Sequence, residues 1–194
     1  MKTLSISTLT ICGIEELPGN SAREVTHVLS VLDPDRAEIE AFGTYGEHHR
    51  VTLRFHDIID PKPGQIMPTP EHVGEILGFG EGLRETATGR VKGHLLVHCH
   101  MGISRSTAAM MTLMAQADAA EDEDVLFARL REIRPQAWPN SVMIGFADAQ
   151  LGRGGRLTQA LRRHYAHQIE AQPQFRTWMN DLGRKREIEM GLTL

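Results

Sequence analysis

The sequence has few cysteines, no long apolar run and no excess of positive charge. Two cysteines, Cys12 and Cys99, occur in 194 residues, and so few do not make a disulfide framework. No window approaches the roughly 18 apolar residues that a membrane span needs. The formal net charge is -4, so no overall basic field attracts nucleic acid or anionic lipid. Any anion that this protein binds must therefore meet a local site.

The first residues do not resemble a targeting segment. The stretch MKTLSISTLTICGIEELPG lacks a long apolar centre and carries Glu15 and Glu16 early, which argues against a signal peptide. With 41% apolar and 24% charged residues, the composition is typical of a globular protein. We therefore expect a cytoplasmic protein without a membrane span, in a reducing compartment where a thiol stays free.

Strand-like and helix-like segments alternate through the middle of the chain. Short alternating or apolar runs predict strands at residues 4–9, 25–32, 49–55 and 93–98. Helical patterns separate or follow them, and a loop rich in proline and glycine covers residues 57–68. This alternation predicts an α/β fold with a mostly parallel central sheet flanked by helices. Active sites in such folds lie at the carboxyl ends of the strands.

A glycine-rich break at residues 152–155 suggests a division of the chain. We predict a catalytic domain over residues 1–151 and a C-terminal helical extension over residues 152–194.

The stretch VHCHMGISRST, residues 97–107, carries the strongest chemical signal. A loop between a strand and a helix presents unpaired N–H groups and the positive end of the helix dipole, which together bind anions. A cysteine there, Cys99, loses its proton readily because the site stabilises the thiolate. Gly102 lets the loop turn, and the fork of Arg105 can grip two phosphate oxygens. Ser106 can donate its hydroxyl to the sulfur. This combination predicts a nucleophilic thiolate facing a tetrahedral oxyanion.

These residues resemble a known signature. Residues 98–106 are similar to the HCxxGxxR[ST] loop of the cysteine-dependent protein tyrosine phosphatases, and most similar to the small dual-specificity group. The segments THVLSV, RFHDI and RPQAWPN, the last ending at Asn140, are weaker matches to the same group, so the resemblance covers residues 4–151. It implies that the phosphate-binding loop joins a central strand to a helix.

The resemblance also implies a role for each site residue. Cys99 would attack phosphorus, Ser106 would assist thiolate departure, and an aspartate would protonate the leaving group. Asp57, just past a predicted strand, is our choice for that acid. Its distance from Cys99 is longer than the usual spacing, so Asp60 in the same loop is a rival. Substrate oxygens would be held by Arg105 and by the backbone amides of the loop, which comprises His100, Met101, Gly102, Ile103, Ser104 and Arg105.

These residues also allow other interpretations. A cysteine in LLVHCH can be an inert core residue, but Gly102 and Arg105 favour the nucleophile. The nearby histidines suggest a metal site, but adjacent strand residues point to opposite faces and no second ligand cluster exists. We therefore expect no metal and no cofactor. Cys12 is expected to be a core residue rather than a resolving partner for Cys99.

The resemblance implies a phosphomonoester hydrolase with a phosphocysteine intermediate. The leading substrate is a phosphotyrosine protein, with phosphoserine and phosphothreonine proteins or small phosphomonoesters next. The alternatives are a phosphoinositide or inositol phosphate phosphatase, a rhodanese-like sulfurtransferase and a phosphate-binding module without turnover. The loop carries no lysine to bind additional phosphates, which makes a phosphoinositide or inositol phosphate substrate less favoured. No nucleic-acid partner is expected, and the sequence leaves the oligomeric state open.

Overall fold

The structure is a computed structural model that describes residue 6, residues 8–85 and residues 93–193. Within these residues, four strands form one sheet, accompanied by seven α-helices. The strands are β1 (Thr8–Cys12), β2 (His27–Leu32), β3 (His49–Arg54) and β4 (His94–His98). The helices are α1 (Pro70–Glu85), α2 (Arg105–Ala117), α3 (Glu123–Ile133), α4 (Ser141–Gln150), α5 (Arg156–Ala171), α6 (Gln174–Asp181) and α7 (Lys185–Leu192).

The sheet has the strand order β1-β4-β2-β3, and all its pairs are parallel. The two inner strands, β2 and β4, are buried along their whole length, which explains their continuous apolar character. The predicted α/β fold with a parallel central sheet is therefore confirmed. Parallel pairing brings the carboxyl ends of all four strands to one edge, and the loop after β4 leaves the sheet at its centre.

The first strand lies further along the chain than predicted. Residues 4–9 were expected to form it, but β1 runs from Thr8 to Cys12, and residues 1–5 and 7 lie outside the described residues. The register of β1 is set by its partner, with Thr8 opposite His94 and Cys12 opposite His98. This pairing ends β1 beside the start of the cysteine loop.

The last third of the chain shares the main hydrophobic core. The predicted boundary at residues 151–152 falls in the turn between α4 and α5. Leu157 and Tyr165 of α5, Phe175 of α6 and Ile188 of α7 are all buried in the same cluster as the sheet and α2. The division into a catalytic domain and an extension stays a prediction. Within the described residues, no helix is both long and apolar enough to cross a membrane.

Candidate active site

A pocket of about 200 Å³ opens at the carboxyl edge of the sheet. Cys99 follows β4, and Asp57 lies three residues beyond the end of β3. The pocket is lined by residues of three regions: the β3 loop, the cysteine loop with the start of α2, and the segment from α6 to α7. These are Asp57, Cys99, His100, Met101, Ile103, Ser104, Arg105, Trp178, Met179, Leu182 and Arg184.

The cysteine loop is held from outside through its carbonyl groups. Every carbonyl oxygen from His100 to Ser104 accepts a hydrogen bond. The donors, in order, are Ile14 N–H, Arg134 Nη2, Arg134 Nε, Trp138 N–H and Ala108 N–H, at 3.0, 3.0, 2.9, 2.8 and 2.9 Å. Because the two polar groups of a trans peptide point in opposite directions, the N–H groups that follow these carbonyls point the other way. The loop can therefore present consecutive donors to an anion.

Gly102 is required by this packing. Its φ is +69°, and an added Cβ would lie 2.4 Å from the backbone carbon of Cys12 and 2.6 Å from the nitrogen of Gly13. Both neighbours are backbone atoms that cannot move aside, so the loop passes close to the end of β1 only with glycine at this position.

Cys99 is buried and lines the pocket. Its sulfur lies 3.2 Å from Ser106 Oγ in the first turn of α2, so the hydroxyl can bond to a thiolate. His98 packs behind it, with Nε2 2.7 Å from Ser30 Oγ. Burial lowers the pKa of His98 to about 4, so this ring is neutral and serves as a hydrogen-bonding support for the loop.

Arg105 is buried and lines the pocket. Its Nη1 donates to Asp33 Oδ1 at 2.6 Å and to the carbonyl of Phe55 at 2.5 Å. Among the residues that the structure describes, its Nε has no hydrogen-bond partner, although it is buried. Such an orphaned donor on a charged group is costly. An oxyanion in the pocket would satisfy it.

His100 lies at the rim beside the same aspartate. Its Nε2 accepts a hydrogen bond from the backbone N–H of Asp33 at 3.3 Å. Partial burial and the neighbouring charge of Arg105 lower the pKa of His100. The loop therefore carries no second cation at this position under neutral conditions.

Asp57 is held through one oxygen. Its Oδ1 accepts from Ser104 Oγ at 2.8 Å, from Asn140 Nδ2 at 3.1 Å and from Arg184 Nη2. Burial acts to raise the pKa of this carboxyl. The charges of Arg184 and Arg105, together with the two hydrogen bonds, outweigh burial and lower the pKa below its ordinary value. Asp57 is therefore a carboxylate in this arrangement.

Asp60 lies away from the pocket. It pairs with Arg186 at 3.1 Å, and both side chains are more than half exposed. The structure thus brings Asp57, Cys99, Arg105 and Ser106 together and leaves Asp60 at the surface.

Three charged contacts of the site were missed by the sequence analysis. Asp33 orients Arg105, Arg184 reaches Asp57 from the C-terminal segment, and Glu16 forms two hydrogen bonds with the guanidinium of Arg134 at 2.7 and 2.8 Å. Asp33 directly follows β2, at the same sheet edge as Cys99, so its place at a strand end was the one available signal.

Cys12 is a buried free thiol at the end of β1. Burial, followed by the charge of Glu16, raises its pKa to about 12. A thiol in that state is a poor nucleophile, which agrees with the expectation of a core residue.

Similar proteins were found by sequence and by structure. Human Protein phosphatase Slingshot homolog 3 is 34% identical over 127 residues, which are 66% of this chain but only 16% of that protein. The phosphatase domain of Yvh1 from Chaetomium thermophilum is 27% identical, with a TM-score of 0.50 over 77% of this chain and 93% of its own. Human tyrosine phosphatase-like serine/threonine/tyrosine-interacting protein has the same fold, with 18% identity and a TM-score of 0.54 over 77% of this chain and 95% of its own. No protein-family model matches the chain.

The fold and these similarities point in one direction. The chain is similar to phosphatases of the cysteine-dependent protein tyrosine phosphatase superfamily. Its similar structures include dual-specificity phosphatases, among them human DUSP28, which shares the fold at 15% identity.

Proposed function

We propose that this protein is a phosphomonoester hydrolase that removes phosphate from phosphotyrosine proteins through a phosphocysteine intermediate. The observation that carries the proposal is the buried Nε of Arg105, which has no hydrogen-bond partner among the described residues, in a pocket that Cys99 also lines. Cys99 and Arg105 line the same small pocket, and we expect the backbone N–H groups of the cysteine loop to face it. That combination can stabilise the negative charge on a phosphoryl group in the transition state of its transfer.

The reaction proceeds in two steps. In the first, the Cys99 thiolate attacks phosphorus, the bond to the leaving oxygen breaks, and that oxygen takes a proton from Asp57. In the second, water attacks the phosphocysteine, gives its proton to the Asp57 carboxylate, and the sulfur–phosphorus bond breaks. Ser106 then bonds to the released thiolate. Because Oδ1 of Asp57 is occupied by three donors, Oδ2 is the oxygen that carries the transferred proton.

The walls of the pocket favour an aromatic leaving group. Met101 and Leu182 are 54% and 48% exposed at its mouth, and Trp178 and Met179 line it from α6. Contact between such side chains and a phenyl ring removes apolar surface from water, which stabilises the bound substrate. This supports phosphotyrosine ahead of phosphoserine and phosphothreonine.

We expect the purified protein to hydrolyse para-nitrophenyl phosphate and phosphotyrosine peptides, with lower kcat/KM for matched phosphoserine peptides. Phosphate release measures the rates. A panel of phosphoinositides tests the other phosphate class, and transfer of sulfur from thiosulfate to cyanide tests the sulfurtransferase chemistry that the same loop could support. Sulfur transfer without phosphate release would contradict the proposal.

Replacement of Arg105 by lysine is expected to lower kcat by about 10²–10³-fold, the usual cost of losing a transition-state donor. Lysine keeps the charge but loses the planar fork, so Nε is no longer available to the phosphoryl oxygens. Rates on para-nitrophenyl phosphate and thermal unfolding are measured together. The geometric account is wrong if R105K retains most of the wild-type kcat.

A further inference from the structure

The segment between α6 and α7 contributes a buried cation to the pocket. Arg184 is 3% exposed, and its Nη2 pairs with Asp57 Oδ1 and donates to the Asp57 carbonyl at 3.0 Å. Arg184 therefore holds both the carboxylate and the backbone of the candidate acid. A single side chain that contacts both groups fixes the position of the carboxylate in the pocket.

The position of Arg184 is itself fixed by buried contacts. Its Nη1 pairs with Glu187 Oε2 at 3.2 Å, and Glu187 is fully buried. Glu187 also accepts from Trp138 Nε1 at 2.7 Å and from the backbone N–H of Ser141 at 2.8 Å. The C-terminal segment is thus joined by hydrogen bonds to the start of α4, the helix that Asn140 caps.

We propose that Arg184 is a positioning residue that holds Asp57 as a carboxylate in the pocket, so that the C-terminal segment sets the fraction of enzyme carrying a protonated general acid. The kinetic consequence rests on the proposed function, whereas the contact does not. A cation within direct contact of a carboxyl favours its charged form. The first reaction step requires the neutral form, so Arg184 opposes that step and favours the second, in which Asp57 accepts a proton.

Other groups near Asp57 affect the same equilibrium between its neutral and charged forms. Arg105 from α2 adds positive charge, and Asn140, the cap of α4, and Ser104 from the loop donate hydrogen bonds to Asp57. His100 lies close enough for Asp57 to affect its titration. Glu187 and Tyr165 lie behind Arg184, and the Tyr165 hydroxyl donates to the carbonyl of Pro139. Among these groups, Arg184 is the cation that can be removed without touching the phosphate loop.

The chain offers a matched control two residues along. Arg186 pairs with Asp60 in the same β3 loop, but the pair lies at the surface, with side chains 52% and 57% exposed. R184Q and R186Q each remove one cation from the same segment. Only R184Q removes a cation from the pocket.

The test is direct titration of Asp57 by carbon NMR in protein labelled at the aspartate carboxyl groups, with D57N to assign its signal. We expect the Asp57 midpoint in R184Q to rise by about one to three pH units, whereas R186Q and R184K stay close to wild type. In parallel, the basic limb of the kcat/KM profile for phenyl phosphate should move upward in R184Q, and the profile for a dinitrophenyl ester should not.

An Asp57 midpoint that is the same in wild type and R184Q would overturn the proposal. Should R184Q not fold, E187Q carries the test: it removes a negative charge that competes for Arg184, so the Asp57 midpoint should fall, and an unchanged or higher midpoint would overturn the proposal. Failure of the proposed function is seen separately, as absence of phosphate release by the wild type, and leaves the titration readable.

Discussion

Replacement of Cys99 by serine is expected to abolish phosphate release while binding of a phosphotyrosine peptide remains. The substitution changes one atom and leaves the carbonyl contacts that shape the loop untouched. Serine lacks the acidity of a thiol, so its hydroxyl forms no anion where the cradle would stabilise a thiolate. Turnover is measured by phosphate release, and binding by fluorescence polarisation of a labelled peptide.

The second cysteine provides the control for this experiment. Cys12 is buried in a separate apolar cluster with Val28 and Leu96, so C12S should keep most of the activity. If C99S turned over substrate and C12S did not, the nucleophile would be misassigned. If C99S lost binding as well as turnover, the loop would depend on the sulfur for its shape, and the anion cradle inferred from the backbone would be wrong.

The cysteine loop could be predicted because its functional residues lie close together in the sequence. Cys99, Gly102 and Arg105 fall within one strand–loop–helix unit, and the chemistry of such a unit follows from backbone donors and the helix dipole. Strands β2, β3 and β4 could be predicted as well, because each carries a distinct apolar or alternating pattern.

The charged contacts around the loop could not be predicted in the same way. Arg105 and Asp33 are 72 positions apart, and Arg184 and Asp57 are 127 positions apart. A buried ion pair of this kind has no periodicity, and each member alone resembles an ordinary surface charge. The helices that deliver Arg184 are also short, eight residues each. Helices of that length depend on tertiary packing rather than on propensity.

Replacement of Asp57 by asparagine is expected to lower the rate on phenyl phosphate by about 10²–10⁴-fold, the usual contribution of a general acid. Asparagine can keep an oxygen at the Oδ1 position for the donors from Ser104, Asn140 and Arg184. What it loses is the proton on the second oxygen. The loss should be far smaller for a dinitrophenyl ester, whose leaving group is stable without a proton.

The pH dependence follows from the sign of the Asp57 shift. Its pKa is lowered in the folded protein, so the protonated acid is abundant only at acidic pH, and the wild-type rate on phenyl phosphate should fall as pH rises through that pKa. D57N should lose this basic limb.

Replacement of the surface aspartate Asp60 tests whether the D57N effect comes from loss of the general acid or from a general disturbance of the β3 loop. Asp60 pairs with exposed Arg186, so D60N should cause a modest loss that is equal for both esters, with the basic limb retained. The reverse result, a leaving-group dependence in D60N and none in D57N, would mean that the loop moves on substrate binding and exchanges the two aspartates. In that case Asp57 would not be the general acid, and R184Q would raise the Asp57 midpoint without moving the basic limb of the rate profile.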